Sequence, residues 1–61
     1  MKYFTLFCND EYQFEFRKAD MTAAIAHCAY GCSQLAGLVV AADGCSASLT
    51  VGDEVFDLIT D

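Results

Sequence analysis

Two dipeptides late in the chain, Asp43-Gly44 and Gly52-Asp53, constrain the fold more than any other feature of the sequence. Both belong to the class favoured in two-residue hairpin loops, where a positive φ matches the twist of the flanking strands. In "GLVVAADGCSASLTVGDEVFDLIT" they set the register of three strands, near 38–42, 45–51 and 54–59. Ala42 then faces Cys45, Val40 faces Ala47, and Leu38 faces Leu49. Across the second turn Val51 faces Glu54, Leu49 faces Phe56, and Ala47 faces Leu58. Both turns put these residues on one face and Val39, Ser48, Val55, Asp57 and Ile59 on the other. Two independent turns agreeing on one core face predict a β-meander, with Leu49 and Phe56 buried and Asp57 exposed.

Upstream, "YFTLFC" (3–8) and "YQFEFR" (12–17) are β-prone, and the second alternates Tyr12, Phe14 and Phe16 with Gln13, Glu15 and Arg17. That is the pattern of a half-buried strand. A three-residue loop, Asn9–Glu11, sets Cys8 against Tyr12, Leu6 against Phe14 and Phe4 against Phe16. A two-residue loop would turn Tyr3, Thr5 and Phe7 inward instead. "DMTAAIAHCAYGCSQL" reads as a helix capped by Asp20, with Met21, Ile25, Cys28, Cys32 and Leu35 as its buried stripe. His27 and Tyr30 fall on the solvent side, Gly31 weakens the last turns, and Gly37 ends them. The element order is ββαβββ. It predicts one two-layer α+β domain over residues 1–61, a five-stranded antiparallel sheet in the order 2-1-3-4-5 with the helix on one face.

A chain of 61 residues buries only about 60% of its unfolded surface, and its 56% hydrophobic content meets that need. No apolar run reaches the ~18 residues of a membrane span. The start at Met1 and the absence of a secretory leader predict a short cytosolic protein. The four cysteines form no C-x-x-C pair. Cys8, Cys28, Cys32 and Cys45 are all expected to face inward as free thiols, which argues against disulfides and a metal site. His27 has no nucleophile and orienting acid arranged around it. No phosphate-binding glycine loop is present, and so small a domain is expected to lack a cleft of ~300 Å³. These observations predict a protein that is not an enzyme and needs no cofactor.

Charge carries the functional signal. The net charge is −6, and beyond Lys18 there is no base to balance Asp20, Asp43, Asp53, Glu54, Asp57 and Asp61. Such a surface repels nucleic acid and membranes and attracts basic proteins. In the derived topology the 9–11 loop, the 52–53 turn and the helix C-terminus share one end of the sheet. That pole gathers Asp10, Glu11, Asp53 and Glu54, while Lys2, Arg17 and Lys18 lie at the other. The two acidic turns are expected three strand spacings apart, about 14 Å at ~4.8 Å per strand. This is the scale of DNA grooves, about 6 and 12 Å wide. Glu15 and Asp57 add charge on the open sheet face, where Phe7, Val55 and Ile59 form an apolar patch with Tyr3 and Val39. Apolar centre and acidic rim fit a basic protein partner, and the uncovered face and an edge strand at 54–59 favour a homodimer.

The ββαβββ order, the acidity and the lack of a catalytic motif resemble small phage-encoded anti-CRISPR proteins, particularly those that imitate DNA. The opening "KYFTLFCNDEYQFEFRKADMTAAIAHCA" is also similar in outline to phage inhibitors of bacterial RNA polymerase that begin with a hairpin and a helix. The first resemblance implies an inhibitor in the bacterial cytoplasm that occludes the nucleic-acid-binding surface of a CRISPR–Cas subunit. The second implies inhibition of a host protein by direct contact, and a non-inhibitory dimerisation module is the third possibility. On the first reading Asp10, Glu11, Glu15, Asp53, Glu54, Asp57 and Asp61 contact the partner, with Phe7, Val55 and Ile59.

Overall fold

The central strand of the sheet is the last one in the chain, not the one that follows the helix. The computed structural model describes residues 1–60, so Asp61 lies outside the described residues. Strands β1 (Lys2–Cys8) and β2 (Glu11–Lys18) precede helix α1 (Met21–Gly31) and a short 3₁₀ segment, Ser33–Gly37. Strands β3 (Val39–Val40), β4 (Ser46–Val51) and β5 (Glu54–Thr60) follow. The class is α+β with an all-antiparallel five-stranded sheet, but the order is β2-β1-β5-β4-β3, which corrects the expected 2-1-3-4-5. The reason is in the strands themselves. β3 is two residues long and has little to offer a central position, whereas β5 sets Leu58 against both Leu6 and Ala47. A very short strand belongs at an edge, where few backbone groups are left unpaired. β5 is therefore interior, and the edges are β2 and β3.

Within the meander the expected pairings hold: Val40 with Ala47, Leu49 with Phe56, Ala47 with Leu58 and Val51 with Glu54. The first turn is looser than a two-residue loop. Ala41 N–H donates to the Ser46 carbonyl, and residues 42–45 form the loop, with Gly44 at φ +72°. Cys45 N–H donates to Asp43 Oδ1 at 2.9 Å, which pulls Cys45 out of the strand and leaves it exposed.

The first hairpin combines both expected registers. Its loop is the two residues Asn9-Asp10, at φ 52° and 66°, both in the left-handed region that Asn and Asp tolerate best. Phe4 still faces Phe16 and Leu6 still faces Phe14, because a bulge separates those pairs from the turn. Beyond it Tyr12 faces Phe7, and Cys8 faces Glu11. Gln13 is the extra residue, and its Nε2 donates to the Glu11 carbonyl at 3.2 Å.

Asp20 caps α1 as expected, its Oδ1 accepting from Ala23 N–H at 2.9 Å. The helix lays Ala24 and Cys28 into the core against Phe4, Leu6 and Leu58, while Leu35, Leu38 and Ala47 complete it beneath the 3₁₀ segment. The inward stripe departs from expectation at two places. Ala24 is fully buried, and Cys32 is exposed because the helix ends at Gly31, with Cys32 as extended C-cap. Leu49 and Phe56 are half-buried against the core, and Asp57 lies on the open face, also half-buried.

Candidate functional site

The two acidic turns meet at one pole. Asn9 N–H donates to the Val55 carbonyl at 2.8 Å, and Val55 N–H donates to Asn9 Oδ1 at 2.8 Å. The Asn9-Asp10 turn is thereby clamped to the start of β5, directly below the Gly52-Asp53 turn. Because β1 and β5 are neighbours, the turns lie two strand spacings apart, about 10 Å at ~4.8 Å per strand. This corrects the expected three spacings. Helix α1 points its C-terminus at the same pole, with no basic residue in its last turn to offset its partial negative charge. Lys2 and Lys18 face one another at the opposite pole, and Arg17 lies over the Tyr3 ring at 5.3 Å.

The expected partner residues divide between the two faces of the sheet. Phe7, Asp10, Asp57 and Ile59 surround a depression of about 190 Å³ on the open face. Glu15 and Val55 are exposed on that face, and Asp53 is exposed at its turn. Glu11 and Glu54 go the other way. Glu11 pairs with Cys8, and the Cys8 thiol donates to Glu54 Oε2 at 3.7 Å, so both acids flank a thiol on the helix side. Loss of hydration pushes the Cys8 thiol up from its ordinary value, and the Glu54 and Glu11 carboxylates add to the rise. Burial alone raises Cys28. Only Cys28 is a fully buried core cysteine. Cys8 is half-buried, and Cys32 and Cys45 are exposed, which corrects the expectation of four inward thiols.

A groove of about 410 Å³ opens on the helix side, contrary to the expectation that the domain is too small for a cleft. Leu6, Phe14 and Phe56 form its floor, and Tyr30, Gly31 and Cys32 form one wall. Its origin is a mismatch of side-chain size: large rings below meet Cys28, Gly31 and Cys32 above, and the helix stops too soon to fill the gap. The small residues at the end of the helix are only half of the signal, because the rings opposite them are distant in sequence. Tyr30 is 96% exposed beside this groove, and Phe14 is 41% exposed. His27 also lines it, its ring stacked on Phe16 at 4.3 Å and edge-on to Phe14 at 6.5 Å, so this solvent-side residue has aromatic neighbours.

Among the described residues no group of three or more His, Cys, Asp or Glu is placed to hold a metal ion, and no helix is long and apolar enough to cross a membrane. Comparison with known protein families, characterised proteins and solved structures finds no significant match to this chain.

Proposed function

We propose that this chain is a non-enzymatic inhibitor whose acidic pole occupies the basic, nucleic-acid-binding surface of a partner protein. The observation that carries the reading is the clamp between Asn9 and Val55. It holds two acidic turns side by side, with Asp10, Glu11, Asp53 and Glu54 about the ends of four neighbouring strands. Acidic turns held about 10 Å apart, the scale of a DNA groove, present a preorganised negative array to lysines and arginines that ordinarily meet phosphates. Preorganisation matters because single exposed ion pairs contribute only ~0–1 kcal/mol, so a set of them must act together. The resemblance to anti-CRISPR proteins favours a CRISPR–Cas subunit as the partner, in a bacterial cytoplasm.

The test is competition. Affinity capture from a bacterial lysate with the full chain should yield a nucleic-acid-binding protein that excess duplex DNA displaces, and capture should weaken steeply as salt rises past physiological strength. Paired changes among Asp10, Glu11, Asp53 and Glu54 to Asn or Gln should weaken it while thermal stability is kept. Capture indifferent to salt, DNA and these acids, but lost on changing Phe7, Val55 or Ile59, would replace mimicry with contact through the open face. The depression at Phe7 and Ile59 gives that second reading its footing, as an inhibitor of a host protein such as RNA polymerase.

A further inference from the structure

The groove beneath α1 and the carboxylates of Glu11 and Glu54 lie on the same side of the sheet, and together they specify a ligand that neither specifies alone. Phe56, on the groove floor, is the cross-strand neighbour of Cys8, and Cys8 is the residue that Glu11 and Glu54 flank. Glu11 is therefore level with Phe56 across Cys8, and Glu54 is the next residue of β5 on that face, so both acids stand beside the apolar floor on the side of the acidic pole. The helix C-terminus adds negative potential on the same side, and all three basic side chains are at or beyond position 17 of β2 or at position 2 of β1, at the far pole. An anion, whether nucleic acid or fatty acid, is repelled from this mouth. A bare polycation would meet the carboxylates and leave Phe14, Phe56 and Tyr30 in water. A neutral apolar molecule would cover the rings and leave the carboxylates unused.

We infer that the groove receives an apolar side chain from a Lys- or Arg-bearing segment of the partner protein, with the neighbouring cation held between Glu11 and Glu54. The inference rests on the reading of the acidic pole as a partner-binding site. It follows the usual division of a protein interface, with an apolar anchor in a pocket and charges at its rim. Amphipathic segments are recognised in apolar grooves by the same logic. The groove contact then lies on the helix side of the sheet, beside the acidic turns, while Asp57 on the open face remains outside it.

The experiment uses the full chain, isotopically labelled, and two synthetic peptides. One places Lys and Arg residues on both sides of a Phe–Leu pair, and the other has Ala at those two apolar positions. The first should shift the amide signals of Gln13, Phe14, Tyr30, Gly31 and Phe56, and bind about tenfold more tightly than the second. Gly31→Leu should reduce that preference, since Gly31 lines the groove and an added Cβ there has room, so the larger side chain competes for the groove. Tyr30→Ala, at an exposed site, is the second variant and should weaken the Phe–Leu peptide alone. Glu11→Gln with Glu54→Gln should weaken both peptides. Equal binding of the two peptides, lost on the acid changes, would remove the groove and leave the acidic pole standing. Shifts centred on Phe7, Asp57 and Ile59, or no shift at millimolar peptide, would overturn the inference outright. Peptide preference retained without the acids would overturn the charge reading as well.

Discussion

The hairpins β1–β2 and β4–β5 are closed by two-residue turns at the same pole, yet only one runs regularly. In β4–β5, Gly52 takes φ +59° and the ladder continues unbroken from Val51–Glu54 to Ser46–Ile59. In β1–β2, Asn9 and Asp10 both take positive φ, and the ladder breaks between Leu6 and Phe7. A turn decides which residues face each other beside it, and burial decides which face the core further along. Where the two demands have the same parity the ladder is regular. Where they differ by one residue, the chain extrudes that residue rather than expose Phe4 and Leu6 or strain the turn. The extruded residue is Gln13. Its extrusion sends Tyr12 to the open face and Glu11 to the helix side, so the mouth of the groove is acidic because the first hairpin is irregular.

The shared foundation of both hairpins gives the largest expected effect. Leu58 is fully buried between Leu6 of one hairpin and Ala47 of the other. Leu58→Ala should cost about 3–4 kcal/mol in urea unfolding, a large part of what so small a domain has. A loss below about 1 kcal/mol would mean that the hairpins do not depend on one core.

The turns themselves should differ next. Asn9→Ala removes the acceptor for Val55 N–H and puts a Cβ residue without a compensating hydrogen bond at φ 52°, a combined cost of about 2 kcal/mol. Asp53→Ala in the regular hairpin should change stability by no more than about 0.5 kcal/mol. Equal losses at the two sites would show that the clamp is unimportant.

Deleting Gln13 sharpens the comparison further. It should leave Tyr12 opposite Phe7 and Phe14 opposite Leu6 in a regular ladder, with a stability change of about 1 kcal/mol or less. Cross-strand nuclear Overhauser contacts would report the pairing. Unfolding of the deletion variant would mean that the bulge supports the fold rather than reconciling two registers.

The smallest effect concerns pH. The Cys8 and Cys28 thiols hold their protons more tightly in the folded protein than in the unfolded chain. The stability they contribute is present below the ordinary thiol range and declines as pH rises above about 8.5 towards their raised values. The melting temperature should fall modestly between pH 8 and 10, and Cys8→Ser should remove part of the fall. Alkylation at pH 8 should reach exposed Cys32 and Cys45 well before Cys28.

What the sequence disclosed follows the same division. The meander register was legible at Asp43-Gly44 and Gly52-Asp53 because turn and alternation agree there. The Asp20 cap was legible because a short acceptor side chain before an apolar helix has one economical use. The seat of β5 beside β1 was not, since local periodicity carries no information on which strands become neighbours. Nor was the groove, which arises from the sizes of residues distant in sequence, Phe14 and Phe56 against Gly31 and Cys32. The inward reading of Cys32 and Cys45 failed where a helix end and an Asp43 side-chain hydrogen bond changed the backbone direction.

The pairing of β1 with β5 also sets the order in which the protein can be made. On the inner edge of β1, Phe4 pairs with Thr60 and Leu6 with Leu58, so the middle of the sheet joins the two most widely separated strands. Each hairpin can form locally within microseconds, but neither has a partner for its long inner edge until synthesis has passed residue 58. Closing so long a loop raises the entropic barrier, and folding should be slower than the chain's length alone would indicate. On the ribosome this domain is a late folder, held open until β5 arrives and then closed in one cooperative step.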